Sequence, residues 1–67
     1  MVKTQRFKKY DMDVLIDSGE FYADMDGNKW EIKSEKNKKK VGSWNRNTNR
    51  LTINNKELTK WLKENSY

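Results

Sequence analysis

The stretch Lys36 to Arg50, KNKKKVGSWNRNTNR, carries six basic residues, one tryptophan, four asparagines and no acid. Lys36, Lys38, Lys39 and Lys40 are point charges of the kind that neutralise phosphates and release counterions, the sequence-independent part of nucleic-acid affinity. Arg46 and Arg50 are interleaved with Asn45 and Asn47. Arg and Asn carry the paired donors and acceptors that match guanine and adenine edges, and a hairpin bearing them is a candidate for the major groove. Trp44 has two uses: exposed, its indole stacks on an unpaired base; buried, it fills a small core. Upstream, Lys3, Arg6, Lys8 and Lys9 form a basic arm that enlarges the same surface if the fold brings the two together. The plainer account of the stretch is a solvated, asparagine-rich turn that keeps the protein soluble.

Other chemistries are weakly supplied. Six carboxylates fall between Asp11 and Asp26, but acid/base work needs a convergent pair in a pocket, and alternation spreads these along a solvated face. DMDGN resembles the opening of a calcium loop. With Gly27 at the sixth position, however, Tyr22 falls at the first and Lys33 at the twelfth, where carboxylates belong. The chain has no cysteine and no histidine, which removes thiol nucleophiles, imidazole bases and the usual zinc ligands together. No glycine-rich phosphate cradle is present. Binding rather than catalysis is the expectation, without metal, cofactor or small-molecule substrate.

The elements that must position these residues follow from length and pattern. Sixty-seven residues make a single domain, 1–67, and a chain this short buries only about 60% of the surface its unfolded form exposes. Eight aromatic residues and clear periodicity oppose disorder despite 37% charged residues. The longest apolar run, Val14-Leu15-Ile16, is far short of the ~20 residues of a membrane span, and a soluble, unprocessed, cytoplasmic protein is expected. Charge is segregated. Residues 1–10 hold bases only and 11–27 acids only, whereas 28–56 are strongly basic and 57–67 balanced.

YDMDVLID alternates, with Tyr10, Met12, Val14 and Ile16 on one side and Asp11, Asp13 and Asp17 on the other, which predicts a half-buried strand with Leu15 alone misplaced. EFYADMDGNKWEIKS predicts a hairpin. A two-residue loop at Asp26-Gly27 sets Asp24 opposite Lys29 and Glu20 opposite Lys33, whereas a loop at Gly27-Asn28 sets Asp24 against Glu31. Cross-strand charge favours the first. KVGSW and RLTI predict a second hairpin across the asparagine-rich loop. Asn54 as N-cap, with Glu57 three residues later and Ile53 as a staple onto Leu58, predicts a helix over about 55–65 that buries Leu58, Trp61 and Leu62.

The expected fold is α+β: a small antiparallel sheet or open barrel of four to five short strands, with one C-terminal helix packed on it. Residues 1–9 serve as a basic arm or extend the first strand. The expected function is nucleic-acid binding, DNA ahead of RNA, through the loops between residues 36 and 50 and the N-terminal arm. The competing reading is an inhibitor or adaptor that docks on a larger protein through Asp11, Asp13 and Asp17 together with the basic loops.

Overall fold

The computed structural model describes residues 3–67, so the first two residues of the expected basic arm lie outside the described part. The chain runs β1 (Lys3–Arg6), α1 (Lys9–Asp17), β2 (Phe21–Asp26), β3 (Lys29–Ser34), β4 (Lys40–Asn45), β5 (Arg50–Ile53) and α2 (Lys56–Glu64). The strands form one antiparallel sheet in the order β1-β5-β4-β3-β2. The α+β class, the open antiparallel sheet and the C-terminal helix are as expected. An N-terminal helix is added.

That helix corrects the strand expected over 10–17. The alternation accounts for Met12, but Leu15, the residue it leaves on the wrong side, is fully buried, and Tyr10, which it places inside, is 74% exposed. Met12 and Leu15 are three residues apart, the helical spacing. The Asp11 carboxylate accepts the Lys8 backbone N–H at 3.0 Å, and Lys9 pairs with Asp13 four residues on at 2.6 Å. Ser18-Gly19 serves as the stop of a helix, with Ser18 as its C-cap. Tertiary demand explains the choice. β1 and β2 occupy opposite edges of the sheet, about 19 Å apart at ~4.8 Å per strand, and the segment joining them crosses the apolar face. A further strand would leave that face open to water; a helix covers it.

Both helices pack on the same side. Phe21, Trp30, Ile32, Trp44, Leu51 and Ile53 of the sheet form one buried cluster with Phe7, with Met12 and Leu15 of α1 and with Leu58, Trp61 and Leu62 of α2. The register shifts between Ile32 and Lys33, which leaves Val41 unpaired opposite β3 and buried as well. Such a bulge turns an extra side chain inward at the cost of a local twist. The N-cap of α2 is Asn55, one residue later than expected, and its side chain accepts the Glu57 backbone N–H at 2.9 Å.

The first hairpin also differs from expectation. Its turn is Gly27-Asn28, with Asp26 opposite Lys29, Asp24 opposite Glu31 and Tyr22 opposite Lys33. Gly27 is left-handed, with φ +62°, and a positive φ at the first central residue is what a two-residue type II′ turn requires. The loop at Asp26-Gly27 puts an aspartate in that place. The observed register thus has glycine at the first central position of the turn, and the direct cross-strand charge that favoured the other register does not decide the pairing. The resulting Asp24/Glu31 clash is relieved diagonally, by ion pairs of Asp24 with Lys33 at 2.9 Å and of Glu31 with Lys40 at 3.5 Å.

Candidate nucleic-acid interface

With both helices on one side, the other side of the sheet is open and polar. Strand alternation and the pairing register put Tyr22, Asp24 and Asp26 on it from β2, followed by Lys29, Glu31 and Lys33, then Lys40, Ser43 and Asn45, then Arg50 and Thr52, and finally Thr4 and Arg6 at the far edge. Acids collect toward β2 and arginines toward β1. The segregation of charge along the sequence thus survives as a gradient across the sheet.

The residues between Lys36 and Arg50 do not form one surface. Lys36, Lys38 and Lys39 lie in the β3–β4 turn and Arg46 and Asn47 in the β4–β5 turn, at opposite ends of a six-residue strand, a separation of about 17–20 Å. The lysine end is neutralised in part within the molecule: Lys38 and Lys40 have carboxylate partners, while among the described residues Lys36 and Lys39 take part in no ion pair. Lys38 pairs with Glu35 at 2.8 Å and lies over the Tyr22 ring, and Lys40 reaches Glu31. Hydrogen bonding to Glu35 raises the Lys38 ammonium above its ordinary pKa, as the bond to Asp24 does for Lys33. Lys3 stands opposite Ile53, at this same end and on the edge strand.

The other end gathers the arginines. Arg6 closes β1 directly opposite Arg50, Arg50 is in turn opposite Asn45, and Arg46 opens the adjoining turn. The backbone holds this arrangement firmly. The Phe7 N–H donates to the Asn49 carbonyl at 2.7 Å, and the Arg46 N–H donates to the Asn28 carbonyl at 2.8 Å, so the β4–β5 turn is tied to the β1–α1 junction and to the β2–β3 turn. Asn45 Oδ1 accepts from the Asn47 and Thr48 backbone N–H groups at 2.8 and 3.3 Å. That oxygen shapes the turn and is not a free reader of adenine. Asn47 is exposed in the same turn.

Among the described residues, Arg6, Arg46 and Arg50, the only arginines in the sequence, take part in no ion pair. Two other like-charged pairs face each other across strands, Asp24/Glu31 and Lys33/Lys40, and each member has an opposite charge on the diagonal. Arg6/Arg50 has none. Lys8 caps α1 beside them, while Lys9 is committed to Asp13 and to the Trp30 ring, 5.4 Å from its centroid. A guanidinium offers a planar fork of donors matched to phosphate oxygens, so an unneutralised group of three is suited to a phosphate-bearing polyanion.

Two expected contributions drop out. Trp44 is 1% exposed and its indole N–H donates to the Phe7 carbonyl, so its ring is core and does not stack on a base. The β4–β5 hairpin is flanked by β3 and β1, so it cannot enter a groove as a free two-stranded ribbon. One contribution was missed. Lys29 stands opposite Asn45 on the open face at the arginine end, and its position in the hairpin register was the signal. No family model, curated protein or solved structure matches the chain.

Elsewhere, Glu20, Glu35, Glu57 and Glu64 rim an open cleft of about 480 Å³ with Lys36 and Lys60, above Phe21 and Trp61. Among the described residues no cluster of carboxylates is arranged to hold a metal ion, and no helix is long and apolar enough to cross a membrane.

Proposed function

We propose that the protein binds nucleic acid as a small accessory or regulatory factor, through the arginine end of the open sheet face. The observation that supports this is the opposed pair Arg6 and Arg50, with Arg46 in the next turn and Lys8 at the helix cap, none of them drawn into an ion pair among the described residues. Opposing two like charges across a strand pair destabilises the fold. An external polyanion reverses the sign of that cost. Arg46 and Arg50 act as phosphate forks and Lys8 and Lys29 as point charges. The lysine turn contributes less than its charge suggests, because Glu35 and Glu31 already occupy Lys38 and Lys40. The reading places DNA ahead of RNA, assigns no catalysis, and goes with the cytoplasm as the compartment.

The test is an anisotropy titration against DNA and RNA at two salt concentrations. Replacing Arg46 and Arg50 by Ala should weaken binding and flatten the plot of log K against log salt by roughly 0.7–0.9 for each phosphate no longer neutralised, and the pair Lys38→Ala and Lys39→Ala should do less. If the wild-type protein binds neither polymer at ~50 mM salt, where the electrostatic contribution is large, the reading is wrong. The arginine end is then a docking surface for an acidic protein.

A further inference from the structure

The three large apolar side chains most open to solvent are Tyr10, Met25 and Tyr67. Tyr67 is in use: its ring stacks on Trp61 at 13° between planes and meets the Phe7 ring edge-on at 5.2 Å. Tyr10 is different. It is 74% exposed and, among the described residues, makes no side-chain hydrogen bond and no aromatic pair. Among the described residues no hydrogen bond or ring pair holds its side chain in place.

Its position does suggest a role. Tyr10 is in the first turn of α1, two residues past Lys8 and four past Arg6. The chain passes from the open face at Arg6, through the buried Phe7, round the end of the sheet, to the helix side at Tyr10. Arg50, Arg6, Lys8 and Tyr10 therefore form a ridge that bends over the end of a molecule only 26 × 25 × 22 Å across. A duplex is stiff over ~150 base pairs and cannot follow a bend of that size, whereas a single strand can. Single-strand binders combine a basic track for the phosphates with an aromatic ring for the bases.

We infer that the nucleic acid taken by this end is single-stranded, with its phosphates on Arg6, Arg50 and Lys8 and an unpaired base stacked on Tyr10. This rests on the nucleic-acid reading above and specifies its substrate class. Because Tyr10 lies outside the core, its replacement leaves the fold intact, which an unchanged melting temperature confirms.

The experiment titrates wild type, Tyr10→Ala and Tyr10→Phe with oligothymidine of about 12 nucleotides and with a blunt duplex of equal length, at ~50 mM salt. The single strand should bind more tightly than the duplex. Tyr10→Ala should lose roughly 5- to 150-fold for the single strand, Tyr10→Phe should retain most of the affinity because stacking needs the ring and not the hydroxyl, and duplex binding should not change. If both polymers bind equally and Tyr10→Ala alters neither, the single-strand assignment is overturned while nucleic-acid binding stands. If neither polymer binds wild type, the underlying reading fails, and the assignment with it.

Discussion

Arg6 and Arg50 are direct cross-strand partners on the open face of the sheet, with no acid on either diagonal. The other like-charged pairs on that face among the described residues, Asp24/Glu31 and Lys33/Lys40, are each relieved by a neighbour. Arg6→Glu converts the opposition into a complementary pair, so it should stabilise the domain by roughly 0.2–1 kcal/mol while weakening nucleic-acid binding. Denaturant midpoints and binding titrations on the same sample measure both. A variant that loses stability, or gains stability without losing affinity, removes the argument that this pair is kept for a ligand.

Gly42 is where α2 rests on the sheet. A Cβ at this position would overlap the Thr52 carbonyl oxygen and come within 2.9 Å of Leu58 Cδ2. The leucine can shift but the backbone oxygen of the paired strand cannot, so Gly42→Ala should cost about 1–3 kcal/mol or more. For a domain of this size each kcal/mol lowers the melting temperature by about 4–8 °C. An unchanged melting curve would mean that β4 and β5 are not held in this register.

Trp44 bridges the sheet and the β1–α1 junction through its indole N–H and the Phe7 carbonyl. Trp44→Phe keeps an aromatic ring in the core but leaves that carbonyl without a donor, a loss of about 1–3 kcal/mol. The affinity of the remaining folded protein for single strands should be unaffected. A selective loss of single-strand binding without loss of stability would return Trp44 to the interface.

Partial desolvation, followed by the neighbouring Asp11 carboxylate, holds the Tyr67 phenol above its ordinary pKa. A raised folded-state pKa favours the protonated form, so the stability it contributes is complete below the unfolded phenol value of about 10 and is lost as pH rises through the folded one. Lys33 and Lys38, also raised by their carboxylate partners, share this sign. Stability should therefore decline on the alkaline side. An ultraviolet difference titration should show a late-ionising tyrosine that disappears in Tyr67→Phe; an unchanged titration in that variant would assign the late group elsewhere.

Much of the fold is written in short-range pattern. The second hairpin, the C-terminal helix with Leu58, Trp61 and Leu62 on its buried stripe, and the α+β class all follow from periodicities and turn residues that act within a few positions. Residues 10–17 are the instructive failure. Their pattern of apolar and acidic residues suits a strand almost as well as a helix, and the choice depends on a distant fact: β1 and β2 lie on opposite edges of the sheet, and the segment between them adds Met12 and Leu15 to the buried cluster on its apolar face.

The candidate site divides in the same way. Its residue types, basic and asparagine-rich with no cysteine or histidine, were legible in the sequence and pointed to binding over catalysis. Their grouping was not, because neighbours in sequence are sent to opposite ends of β4 while residues 44 positions apart meet as Arg6 and Arg50. Composition alone determined that this is a basic domain with a single small core. Only the strand order decided that Lys33 and Lys40 meet Asp24 and Glu31 while Arg6 and Arg50 stand together, since the register follows the fold of the chain rather than the charges that come to face one another.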